Sequence, residues 1–132
     1  MLTSAINQAY APGRESAQAD GANQPPIDLA HLSRYTLGNK ELESEILQLF
    51  SAQAPTVIGQ MRVAGSDKAW HDAAHTLKGS ALAVGAWYVA KSAEQAERLG
   101  DGDINLREPV LEQLSAMVDE ALRFIASLEL VV

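Results

Sequence analysis

The chain contains no cysteine. That excludes a disulfide framework, a cysteine-ligated zinc site and thiol catalysis. Aromatic residues make up only 5% of it while alanine is abundant, a balance that leans helical. Basic residues are scarce and scattered: ten Lys and Arg stand singly among 17 Asp and Glu, for a formal net charge of −7. No basic stripe is left to follow a nucleic-acid backbone, so no nucleic-acid partner is expected. The longest apolar run, near residues 81–90, is too short to span a bilayer, and no membrane partner is expected. The opening MLTSAINQAY lacks the charged and apolar regions of a secretory signal. A chain of 132 residues supplies one core. These exclusions leave a soluble, acidic, mainly helical domain, expected in the cytoplasm.

Residues 1–26 read as a flexible tail. They hold Pro12, Gly13, Gly21, Asn23, Pro25 and Pro26 and few large apolar residues, so they bury too little to offset the entropy of ordering. Residues 2–9 have the composition for a transient helix. The domain is expected over residues 27–132. Asp28 can cap a short helix that ends near Leu37, with Gly38 as its stop. Asn39 can cap a longer one, with Glu41, Glu43 and Glu45 in its early turns. Its expected buried stripe is Leu42, Ile46, Leu49, Phe50, Val57, Ile58 and Met61. Pro55 should kink this helix, and Gly65 should end it.

Ser66 can cap a third helix over Asp67–Val84, interrupted by Gly85. A fourth is expected over residues 86–99, followed by a loop at Gly100, Asp101 and Gly102. The last helix starts near Leu106, where Pro109 fits only in the first turn. It carries Val110, Leu111, Leu114, Met117, Val118, Ala121, Leu122, Ile125 and Leu128. No segment alternates with a period of two. The fold class is therefore all-α: an antiparallel four-helix bundle with an additional short N-terminal helix. Such a bundle closes its own core, so a monomer is expected.

The third helix breaks a local rule. At about 100° per residue, Trp70, Ala73, Ala74, Leu77, Ala81 and Val84 form one core-facing stripe. His71, His75, Lys78, Gly79 and Leu82 gather on another face, roughly 130° away. Gly79 sits mid-helix, where glycine costs about 1 kcal/mol relative to alanine. One turn from His75, it leaves bare space beside the imidazole. An imidazole, a cation and a bare patch on one exposed face suit a bulky partner that brings an anionic group to the ring. A neutral imidazole nitrogen can attack a phosphoryl group. Lys78 can offset part of the charge on the phosphoryl oxygens, though an exposed cation is screened. No metal cradle or general-base constellation is visible, so the partner must supply both metal and acidic site.

The run His75-Thr76-Leu77-Lys78-Gly79-Ser80-Ala81, with Gly85 ten residues after the histidine, resembles the signature of histidine-containing phosphotransfer (HPt) domains. The helix layout resembles that family over about residues 27–130. The resemblance implies an antiparallel helical bundle with His75 exposed and acting as phospho-acceptor through Nε2. It implies that Lys78 holds phosphoryl oxygens and that Gly79 gives the partner clearance. The implied partners are response-regulator receiver domains, whose aspartate exchanges phosphate with His75 in the presence of Mg2+, and a hybrid histidine kinase. The chain itself would need no cofactor and have no autonomous turnover. One departure stands out: many members carry a glutamine on the following helix, and the matching position here is Glu97. A carboxylate there can take a proton from Nδ1 and fix the tautomer, and it opposes a nearby phosphoryl group. Gln95 points elsewhere on that helix.

Competing readings exist for each residue. His71 and His75 have metal-ligand spacing, but Asp72 stands where a zinc protease has its glutamate, no third ligand is evident, and Lys78 repels a cation. No metal is therefore expected. His71 and Leu82 read as neighbours of the docking surface, His31 as incidental, and Trp70 and Trp87 as core or rim aromatics. Gly85 and Ser80 read as structural. The alternative function is a phosphate-silent bundle that binds receivers or other signalling domains. With no Gly-rich phosphate loop and no receiver aspartate cluster, the chain reads as a stand-alone module or the excised domain of a larger kinase.

Overall fold

The computed structural model describes residues 24–99 and 104–128. The tail at residues 1–23, its expected helix over residues 2–9 and the loop Gly100–Gly102 lie outside the described residues. Five α-helices account for most of the rest: α1 (Leu29–Thr36), α2 (Lys40–Arg62), α3 (Asp67–Val84), α4 (Trp87–Arg98) and α5 (Arg107–Ala126), the last preceded by a 3-10 turn at Ile104–Leu106. There is no strand among the described residues. Around the bundle α2 packs on α3, α3 on α4, α4 on α5 and α5 back on α2, while α1 lies against α2 and α3. Sequential neighbours joined by short links form an antiparallel four-helix bundle with one short additional helix.

The starts of the helices follow from their caps. Asp28, Asn39 and Ser66 each accept a backbone N–H from the first turn of α1, α2 and α3, respectively, satisfying a donor that the helix cannot. Helix α2 runs unbroken through Pro55. Pro109 lies in the first turn of α5, where its missing N–H costs nothing.

The core is aliphatic, with Leu32, Leu47, Leu77 and Leu114 fully buried beside Phe50, Met61 and Trp70. Each such side chain contributes roughly 1.5–3 kcal/mol by leaving water. The stripe expected on α2 needs correction. Phe50, Val57, Ile58 and Met61 are buried, but Leu49 is 69% and Leu42 39% exposed, and Ile46 is only partly buried. Leu47, Ala54 and Ser44 take the inner positions. The buried arc centres on Phe50, Ala54 and Met61, and at 100° per residue Leu42 and Leu49 fall outside it. On α5, Leu111, Leu114, Val118, Ala121 and Ile125 are buried, whereas Val110, Met117, Leu122 and Leu128 pack at the edge.

The contact between α3 and α4 is built from small residues. Ala73, Ala74 and Ala81 of α3 and Ala90, Ala93 and Ala96 of α4 are all buried. Alanine keeps the two backbones close, so side chains on the outer rim of one helix can reach the other. The indole of Trp70 adds a fixed point, donating from Nε1 to the Ala96 carbonyl at 2.7 Å.

Candidate functional site

Helix α3 carries the outer face that the sequence singles out. Its core side holds Trp70, Leu77, Ala81 and Val84, and the opposite side turns His75 to solvent with 65% of its side chain exposed. Because Trp70 ties the Ala96 carbonyl to α3, the next residue, Glu97, projects at the rim beside His75. Its carboxylate is the hub of the site. Oε2 lies 2.8 Å from His75 Nδ1 and 3.3 Å from His71 Nε2, while Oε1 lies 2.8 Å from Lys78 Nζ. An ionised carboxylate only accepts, so Nδ1 of His75 carries the proton. A ring protonated only at Nδ1 has its Nε2 lone pair free, and Nε2 meets no hydrogen-bond partner among the described residues.

The Glu97 carboxyl is held below the ordinary glutamate range, first by the hydrogen bond from the Lys78 ammonium and next by that from His75, against a smaller opposing effect of burial. Glu97 therefore stays charged near neutral pH. Lys78 is not a free surface cation: it is paired with Glu97, with 26% of its side chain exposed. An ammonium has three donors, so it can keep this contact and still offer a proton to an incoming oxygen.

Gly79 sits one turn beyond His75, and a Cβ built on it would meet nothing within 4 Å. Its bareness serves no packing among the described residues. Leu82, a further turn along, is 46% exposed. The His71 ring stacks on that of His75 at 6.2 Å with an 8° interplanar angle. The structure thus brings His71, His75, Lys78 and Glu97 into one cluster, with Gly79 and Leu82 beside it. No group of His, Asp and Glu among the described residues is arranged to hold a metal ion.

The residues expected to be structural have identifiable contacts. Ser80 donates to Gln53 Oε1 at 2.9 Å, linking α3 to α2. Leu49, 69% exposed, lies one turn before Gln53 on the same side of α2. Gly85 adopts φ 79° to cap α3, and a Cβ there would lie 3.0 Å from Asp28. Asp28 donates its N–H to the Gly85 carbonyl and accepts from Trp87 Nε1. Trp87 is a rim aromatic, whereas Trp70 is core at 2% exposure beneath the Arg107 guanidinium. His31 meets Trp87 edge-on, 4.9 Å between centroids.

Sequence reasoning missed the Gln53 contact, the Asp28–Trp87 link and the exposure of Leu49. Only the last left a signal, since Leu49 is angularly displaced from Phe50, Ala54 and Met61. Among the described residues no helix is long and apolar enough to cross a membrane.

Comparison with known families agrees with this geometry. The sequence model of the Hpt domain matches residues 45–124, a span that includes the whole cluster and leaves out α1. No curated protein and no solved structure matches the chain. With more than half of its length matched, an all-helical bundle and an exposed histidine at the motif position, the chain belongs to the Hpt domain family.

Proposed function

We propose that the protein is a phosphorelay intermediate that takes a phosphoryl group onto Nε2 of His75 from a receiver-domain aspartate and passes it to another. The observation that carries this reading is the contact between Nδ1 of His75 and Glu97, made while most of the ring faces solvent. It supports a ring in one tautomer whose Nε2 is both free and reachable.

The step balances without a base. The Nε2 lone pair forms the N–P bond, the P–O bond to the aspartate breaks, and the aspartate leaves as a carboxylate. The ring keeps its Nδ1 proton and becomes cationic, and Glu97 at 2.8 Å offsets that charge. Lys78 meets the developing charge on the phosphoryl oxygens. Gly79, with open space where a side chain would be, lets the receiver approach, and the exposed Leu82 and Leu49 give it apolar surface to cover. The receiver brings the Mg2+ that neutralises its own carboxylates and phosphate. The module is a carrier with no turnover of its own, exchanging phosphate with cytoplasmic receivers and with a hybrid histidine kinase, and it works as a monomer.

The test is to mix wild type and His75→Gln with a panel of phosphorylated receiver domains and Mg2+. Acid-labile, alkali-stable label is expected on wild type alone. Equal label on His75→Gln would place the acceptor elsewhere. Receiver binding without label on either protein would mean a phosphate-silent bundle.

A further inference from the structure

Lys78, Leu82, Trp87, Ala90, Lys91 and Glu94 line an open groove of about 320 Å3 between α3 and α4. It begins at the phosphoryl site, because Lys78 and Leu82 lie on the same face of α3 as His75. Leu82, Ala90 and the Trp87 ring make its walls apolar. The Trp87 ring is fixed by its donation to Asp28 at 3.0 Å.

The charges around the groove are unbalanced at one point. On α3 and α4, Lys68 is paired with Asp72, Lys78 with Glu97 and Arg98 with Glu94. Lys91 is the only Lys or Arg on these two helices with no carboxylate partner among the described residues. Glu94, its neighbour one turn on, is already engaged by Arg98. The groove therefore presents an apolar recess and one uncompensated ammonium, on a chain whose formal net charge is −7.

We propose that this groove seats an apolar side chain of the receiver partner that is flanked by an Asp or Glu, and that Lys91 pairs with that carboxylate and so sets which receivers are accepted. The proposal rests on the phosphotransfer reading. A receiver is the fitting occupant because it must cover the face holding Lys78 and Leu82 to bring its phosphate to Nε2. Charge complementarity makes the contact an acidic one, since Lys91 meets no carboxylate among the described residues and Glu94 is engaged by Arg98. Lys91 is fully available to such a contact, whereas Lys78 is shared with Glu97.

The probes are receiver domains charged with acetyl phosphate in Mg2+, held below saturation. Initial transfer rates are compared for wild type, Lys91→Ala, Lys91→Arg, Lys91→Glu and Arg123→Glu, at low salt and at about 0.5 M salt. Arg123 is an exposed residue in the last turn of α5, at the other end of that helix from Arg107, whose side chain reaches Asp67 and Trp70 of α3, so its variant controls for net charge. For the fastest receiver, Lys91→Glu is expected to lower the low-salt rate at least about tenfold and Lys91→Ala about threefold. Lys91→Arg should retain the rate, high salt should shrink the losses, and Arg123→Glu should match wild type. Thermal midpoints should stay level, because Lys91 is exposed and has no carboxylate partner among the described residues. Wild-type transfer from Lys91→Glu overturns the groove and leaves phosphotransfer standing. Equal losses in Lys91→Glu and Arg123→Glu also overturn it, since net charge would then be the cause. If wild type takes label from no receiver, the phosphotransfer reading falls and the groove proposal with it.

Discussion

Two glycines, Gly79 within α3 and Gly85 capping its end, sit in opposite surroundings. Around Gly79 a Cβ would meet open space, and the backbone is ordinary helix. Around Gly85 a Cβ would press on the Cβ and carbonyl oxygen of Asp28 at 3.0 Å, and φ is 79°. The second region is a packed joint, where the start of α1, the end of α3 and the start of α4 share Asp28, Gly85 and Trp87. The first is a bare face, where the helix forgoes about 1 kcal/mol of propensity without gaining a contact among the described residues. One glycine is explained by the fold. The other has no packing reason among the described residues, which suits the proposed clearance for a partner.

Substitution can break or sharpen this contrast. The largest effect is expected from Gly79→Leu: a side chain there fits the isolated protein but holds the receiver away from Nε2. Transfer to His75 should fall by at least ~100-fold while the thermal midpoint does not fall. A midpoint that drops with activity would show that Gly79 has a packing role after all. Gly85→Ala should do the reverse. The left-handed conformation and the clash with Asp28 together cost about 2 kcal/mol or more, read as a lower denaturant midpoint. Unchanged stability would mean that the joint relaxes freely.

Gly79→Ala is subtler, and its sign is the point. It should raise stability by up to about 1 kcal/mol in a denaturant titration. A loss would place Gly79 in the same class as Gly85.

The smallest effect concerns the carboxylate beside the bare face. Lys78, and next His75, hold the Glu97 carboxyl below its ordinary range. Its stabilising contribution is therefore fully present above the unfolded value of about 4.3 and is lost as pH falls through the lower folded value. The stability gap between wild type and Glu97→Gln should be constant near neutral pH and narrow on acidification below about pH 4.3. A gap that persists at pH 3 would show that hydrogen-bond geometry, and not charge, sets the contribution of Glu97.

Much of this protein was legible without coordinates. Caps at Asp28, Asn39 and Ser66, the stop at Gly85 and the first-turn position of Pro109 are local features, and the helices follow them closely. The inner face of α3 read correctly because Trp70, Leu77, Ala81 and Val84 form an unbroken stripe. On α2 the same method misplaced Leu42 and Leu49. Apolar residues there cover more of the circumference than one buried arc holds, and only the position of α3 decides which part is covered. The motif from His75 to Gly85 was visible as residue types at fixed spacing. That Glu97 stands beside His75 was an expectation from counting; that its two oxygens divide among His71, His75 and Lys78 was not.

By itself, then, the sequence determined the helices, their ends and the residues sharing the outer face of α3. These depend on backbone torsions and side-chain neighbours within a turn or two, which chain order specifies. The tertiary structure decided the rest: which carboxylate meets the imidazole and, among the described residues, that Lys78 is paired and Lys91 is not, and that Gly79 is open while Gly85 is closed. Those properties depend on how near α4 and α1 come to α3. Buried alanines and the Trp70–Ala96 hydrogen bond set the first distance, and Asp28 against Gly85 sets the second.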